Sequence, residues 1–279
     1  KWLNITGGEP TDRDDLEQIV ATFRNHCKKL CVVNFTTNGL RPDRIEQAVR
    51  TIAALKIPKL IVNVSVDGPP EVNDLLRGIP GDFSLAVETL KRLRQIPRVQ
   101  SRASMTLYPK NTDLIFETHQ SIAQFVPNFK LSDIVINLAH NSSHFYGNQK
   151  VKLNKDLKII SALKKFNSQL TAPRDFVSLF KKAYFRYLPS YLQSGKSPMS
   201  CPAMMTSIYS SEKGDLFPGT IWSKKVGSLK ENNFDIVKSL QSPLAVETRQ
   251  MIKQLDCPNC WSPCEAFPSL MTNATKLIL

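Results

Sequence analysis

The chain lacks any apolar run near the roughly 18 residues a membrane helix needs, and its first residues show none of the features of a secretory signal. A cytoplasmic protein without membrane contact is therefore expected. Runs of five or six basic residues are also missing, although lysine and arginine total 37 against 24 acidic residues and the net charge is +13. Charge spread in this way predicts a solvated basic surface and argues against a nucleic-acid partner. Low-complexity segments are absent, as are repeats beyond an alternation of strands and helices. A length of 279 residues with 42% hydrophobic content can bury a substantial core, as one large domain or one with a small appendage. An initiating methionine is missing too: the sequence opens on Lys1 in what reads as mid-strand, and it is expected to be a piece that has lost its beginning.

The opening stretch, Lys1 to Pro10, organises the rest. A short apolar run ends in Gly7-Gly8-Glu9-Pro10, and helical periodicity follows directly. Glycines at the end of a strand let backbone N–H and C=O groups approach a ligand, since no Cβ intervenes, and the carboxylate of Glu9 can hold a cation. The plain alternative is an ordinary turn.

The pattern then repeats. Asp12 is expected to cap a helix through Leu16, Ile19, Val20, Phe23 and Cys27, which makes Cys27 a core residue. Residues 31–35 read as a strand with Cys31 at its start, also as core, ending in Thr37-Asn38-Gly39. A helix from Pro42 and a strand over 60–66 lead to Ser65-Val66-Asp67-Gly68. Residues 83–93 are predicted helical and 99–107 a strand carrying Arg102, Ser104 and Thr106 on one face. A helix over 112–125 and a strand over 134–138 complete five strands with crossovers, which is a parallel α/β sheet. Three polar glycine turns at strand ends converge where ligands of such sheets bind. Residues 154–193 read as helices, and from Ser197 the texture becomes loop-rich, as in a small domain needing a staple.

Six cysteines are present, and Cys257, Cys260 and Cys264 crowd into eight residues. With Cys201 they make four thiols, suited to zinc or to an iron-sulfur cluster, and the residues alone leave both open. Such crowding in a long, cytosolic-looking chain argues against disulfides.

The order Thr6-Gly7-Gly8-Glu9-Pro10, Thr37-Asn38-Gly39, Ser65-Val66-Asp67-Gly68, Cys201 and the terminal cysteine group resembles the radical S-adenosylmethionine superfamily, in particular members with a SPASM or twitch extension. The resemblance covers essentially the whole chain. It implies a partial (β/α)6 TIM-like barrel lacking its first strand over residues 1–150, a helical linker over 151–196, and a cysteine-rich auxiliary iron-sulfur domain over 197–279. It further implies that Gly7, Gly8 and Glu9 engage the amino group of S-adenosylmethionine and that Asn38 lines the same pocket. Ser65 and Asp67 would face its carboxylate or ribose, Arg102 would partner the carboxylate, and Asn137 and Leu138 would lie near the adenine. Cys201, Cys257, Cys260 and Cys264 would hold an auxiliary 4Fe-4S cluster.

By the same resemblance the reaction would be hydrogen abstraction by a 5'-deoxyadenosyl radical from a peptide or small-molecule substrate, with a reductant such as flavodoxin or ferredoxin. No catalytic side chain is assigned. Two departures stand out. The Cys-x3-Cys-x2-Cys loop of the catalytic 4Fe-4S cluster belongs after the first strand and is not in this sequence, so activity is expected of a longer parent. Gly219 stands where the extension usually has a cysteine, after Gly214. His140, His144 and Tyr146, following the last strand, are candidate substrate contacts, against the alternative of a solvated loop. A non-catalytic binding module of the same fold, a zinc-stapled structural protein and a basic nucleic-acid binder are the other readings.

Overall fold

The computed structural model describes residues 1–148, 157–171 and 176–273. It forms two compact units, Lys1–Asn137 and Leu138–Leu279.

In the first unit strands and helices alternate: β1 (Trp2–Ile5), α1 (Leu16–His26), β2 (Val32–Thr37), α2 (Pro42–Ala54), β3 (Lys59–Ser65), α3 (Pro70–Arg77), α4 (Asp82–Leu93), β4 (Val99–Leu107), α5 (Ile115–Ala123) and β5 (Ile134–Leu138). The sheet order is β1-β2-β3-β4-β5. β1 to β4 pair in parallel, with Ile5 beside Phe35, Thr37 beside Val64 and Ser65 beside Ser104. A parallel sheet whose order never reverses sends every right-handed crossover to one face, which is barrel-like winding rather than doubly wound. Among the described residues the sheet does not close.

Side-chain alternation divides the two faces. Val33, Phe35, Leu60, Val62, Val64, Met105, Ile134 and Ile136 are buried on one, and α1, α2 and α4 form a row in which each packs against the next. The opposite face carries Asn4, Asn34, Asn63, Arg102, Ser104 and Asn137. Asn34 Nδ2 donates to Asn4 Oδ1 at 2.5 Å and Asn63 Nδ2 donates to Asn34 Oδ1 at 3.1 Å, a polar ladder across three strands.

The structure corrects four local expectations. α1 begins at Leu16 after Asp15, and Asp12 instead closes a 3-10 turn from Pro10 and pairs with Arg41 at 2.7 Å. Phe23 is exposed although it falls in the apolar stripe. Cys31 is exposed, because the strand starts one residue later; its backbone is held between Lys1 and Lys59 and its Sγ donates to the Lys29 carbonyl at 3.3 Å. Cys27 is only half-buried, at the end of α1. α3 was not anticipated from periodicity, yet it has proline at its first position and Gly78 just past its end at φ 72°.

The second unit holds α6 (Leu157–Gln169), α7 (Phe176–Ser194), a three-stranded antiparallel sheet of β6 (Tyr209–Ser210), β7 (Asp215–Phe217) and β8 (Gly227–Ser228), then α8 (Ile236–Leu240), α9 (Pro243–Lys253) and α10 (Pro263–Thr272). The helical segment expected from Asn154 starts outside the described residues. Phe166 of α6 meets Phe185 of α7 edge-on at 5.1 Å. Around the small sheet, Ala203, Met204, Leu216, Val226, Ala245 and Ile252 form a core of their own.

Candidate functional site

The parallel register brings the carboxyl ends of β1 to β4 to one rim. Gly7 and Gly8 are exposed there. Gly7 has φ +136°, which favours glycine, and a Cβ added at either position would meet no atom within 4 Å. Open space therefore faces this backbone. Glu9 fastens the turn to its neighbour: its Oε1 accepts from the Thr11 N–H at 3.1 Å and the Thr11 hydroxyl at 2.6 Å, and its Oε2 accepts from the Asn38 N–H at 2.6 Å. The carboxylate thus joins the first and second strand tips while remaining only half-buried.

At the second tip, Asn38 Oδ1 accepts from the Leu40 N–H at 2.9 Å. Gly39 (φ +81°) is held for packing: a Cβ there would lie 2.8 Å from both Ala86 Cα and Val64 Cγ1. Its carbonyl accepts from the Thr89 hydroxyl at 2.7 Å, which locks the tip onto α4.

The third tip is pinned by Asp67, which is 5% exposed. Its Oδ1 accepts from the Thr106 N–H at 2.7 Å, and Arg77 Nη1 lies 3.5 Å from Oδ2. Burial raises its pKa, against the opposing pull of the Thr106 N–H and Arg77. Asn73 ties the Asp67 N–H, at 2.8 Å, to buried Asp82, at 2.6 Å. Asp67 is thus turned into the protein as a brace between β3 and β4, a role of Thr106, Asn73 and Arg77 that periodicity did not signal. Ser65 and Arg102 lie on the polar face, Arg102 beside Asn63 in register. Asn137 Nδ2 donates to Ser104 Oγ at 2.8 Å. Leu138 alternates to the buried side, so the polar face receives Asn137 and not the Leu138 side chain.

In the second unit His140 is 9% exposed, and burial pushes its pKa down to about 4. His144 is half-buried and held in place: its ring stacks on Phe217 at 4.2 Å, Nδ1 lies 2.9 Å from Ser223 Oγ and Nε2 lies 3.0 Å from the Gly219 carbonyl. Tyr146 is 45% exposed.

Cys201, Cys257, Cys260 and Glu265 line one cavity of about 30 Å³, together with Gly219 and apolar Ile252. Trp261, fully buried, anchors the cysteine loop by stacking parallel to Tyr184 and donating to its carbonyl at 3.4 Å. Burial and the nearby Glu265 raise the pKa of Cys201 to about 11 and that of Cys260 well above the usual thiol range. Cys264, on the first turn of α10, is not among the lining residues and instead influences Tyr184. Among the described residues no three His, Cys, Asp or Glu side chains stand in chelating geometry. The donor set nonetheless suits a soft cation: thiols and a carboxylate gather with no lysine, arginine or histidine among the residues lining the cavity.

A singly wound α/β sheet with an open glycine turn at the carboxyl end of its first strand is a layout that suits binding a ligand at the strand ends. Over residues 3–121 the chain matches the model of the Radical SAM superfamily. It is 31% identical over 132 residues to the mycofactocin maturase MftC of Mycolicibacterium smegmatis, 47% of this chain and 32% of the relative. It is 35% identical over 111 residues to the maturase of that name from Mycobacterium ulcerans (39% and 28%), and 40% identical over 93 residues to the one from Mycobacterium tuberculosis (33% and 22%). The matched region spans a third or less of each relative's length. No helix among the described residues is long and apolar enough to cross a membrane.

Proposed function

We propose that the first unit binds S-adenosylmethionine at its rim and that the chain serves a radical S-adenosylmethionine enzyme acting on a peptide precursor, as the relatives' name, maturase, suggests. The observation that carries this reading is the open backbone at Gly7 and Gly8 beside the Glu9 carboxylate. When bound, S-adenosylmethionine supplies a hydrogen-abstracting nucleoside radical on one-electron reduction. The chain's own residues bind and orient. The Gly7-Gly8 backbone meets the amino acid end of the ligand, and Glu9 attracts its ammonium group. Asn38, Ser65, Arg102 and Asn137 offer polar contacts along the rim. Asp67 keeps the β3 and β4 tips in register through Thr106, and so acts by positioning.

In the second unit, Cys201, Cys257 and Cys260 are the proposed thiol donors of an auxiliary centre. Three thiols and a carboxylate at one cavity also suit a tetrahedral ion, so a single zinc ion is the second reading. Iron, sulfide and zinc analysis of anaerobically purified protein separates the two. For the rim, the test is S-adenosylmethionine binding to the chain by equilibrium dialysis, followed by 5'-deoxyadenosine formation in the longer parent under reducing conditions. Binding of S-adenosylmethionine no tighter than that of free adenosine and methionine would defeat the proposal.

A further inference from the structure

Gly219 faces the end of the Glu265 side chain. Its φ lies outside the left-handed region, yet a Cβ built on it would fall 2.1 Å from Glu265 Oε1 and 2.8 Å from Cδ, nearer than real Cβ atoms come. A side chain at 219 and the carboxylate at 265 therefore compete for the same space. Glu265 is 6% exposed, faces the cavity shared with Cys201, Cys257 and Cys260, and its Oε2 has no hydrogen-bond partner. A buried carboxylate oxygen without a partner is costly unless the group takes up a proton, to which burial inclines Glu265 by raising its pKa to about 7, or a cation meets it.

Building on the reading of the second unit as a metal-holding domain, we infer that Glu265 is the fourth donor of its centre, completing a set of Cys201, Cys257 and Cys260 and filling the place that a thiol at 219 would take. Cys264, one residue earlier on the same helical turn, lies outside the set. Glu265 sits in the first turn of α10, whose amino end favours an anion. The four donors share one cavity but do not stand in chelating geometry among the described residues, so the ion has to draw them together; three thiolates and one carboxylate then complete a four-coordinate set.

The test is anaerobic titration of the reduced, metal-stripped full chain with cobalt(II), whose thiolate charge-transfer absorption scales with the number of sulfur ligands. The wild-type chain is expected to bind one cobalt with a three-thiolate band. Glu265→Gln, close in shape, is expected to weaken binding by about 10-fold or more. The double variant Gly219→Cys/Glu265→Ala, which exchanges the two donors, is expected to restore tight binding with the band raised by about a third, as four thiolates replace three. Cys264→Ser is expected to leave band and affinity unchanged. Wild-type binding that Glu265→Gln does not alter overturns the inference while leaving the metal-domain reading standing. Loss of a third of the band in Cys264→Ser also overturns the assigned set. No cobalt binding by the wild-type chain overturns both. Should Glu265→Gln fail to fold, the double variant still decides: a band no stronger than the wild type's refutes the exchange of donors.

Discussion

Replacing Gly8 with alanine separates ligand binding from folding at the rim. The added Cβ meets nothing within 4 Å, and Gly8, unlike Gly7, is not held at positive φ, so the folded chain has no reason to resist it. Losing a glycine narrows the unfolded ensemble and is worth about 0.4–1 kcal/mol in favour of the fold. A ligand whose ammonium or carboxylate lies against the Gly7-Gly8 backbone would meet the new methyl group and lose at least one charge-assisted hydrogen bond. That loss is about 1.5–3 kcal/mol, or roughly 10- to 100-fold in affinity. Thermal unfolding and equilibrium dialysis with S-adenosylmethionine on the same preparation give both quantities. An unchanged melting temperature with affinity within about twofold of wild type would refute the placement of the ligand at this turn. A sharply destabilised variant would refute the structural premise. Gly7→Ala is the poorer probe, because its φ of +136° charges the fold as well as the site.

Other perturbations test the frame around the site. Gly39→Ala should destabilise by about 2–3 kcal/mol in denaturant titration, since it combines positive φ with a Cβ forced against Ala86 and Val64. Glu9→Gln places an amide NH2 against an N–H donor that Oε1 or Oε2 now accepts; a loss of about 1–3 kcal/mol and faster amide exchange at Asn38 are expected. His140 is held neutral by burial, with its pKa down to about 4 from 6.5. As pH falls from 6.5 to 4 the unfolded chain takes up a proton that the folded chain refuses, so stability should drop by up to about 3 kcal/mol across that window. His140→Leu should flatten this part of the stability–pH curve, and a curve of unchanged slope would exclude His140 as its source.

Strand and helix alternation was legible in the first unit because helix periodicity and β-branched runs there agree with tertiary packing, and the polar turns lie at one rim because the strands are parallel. The contacts of those turns were less so. The resemblance implies that Asp67 faces the ligand; its carboxylate accepts from the Thr106 N–H, 39 residues on, a contact no local pattern announces. α3 is too short for periodicity to stand out, although Pro70 and Gly78 bracket it. In the second unit the cysteine spacing was visible, whereas Glu265 was one acidic residue beside Cys264, and Gly219 stood out only as a glycine where a cysteine is usual; their contact is seen in the structure alone.

The Glu9 carboxylate already receives three donors, two from Thr11 and one from Asn38. Any cation arriving at it must share those lone pairs or loosen the bond to Asn38. Occupancy at the first turn is therefore felt at the second without any helix having to move, and a stiffer clasp would trade ligand affinity for a quieter rim.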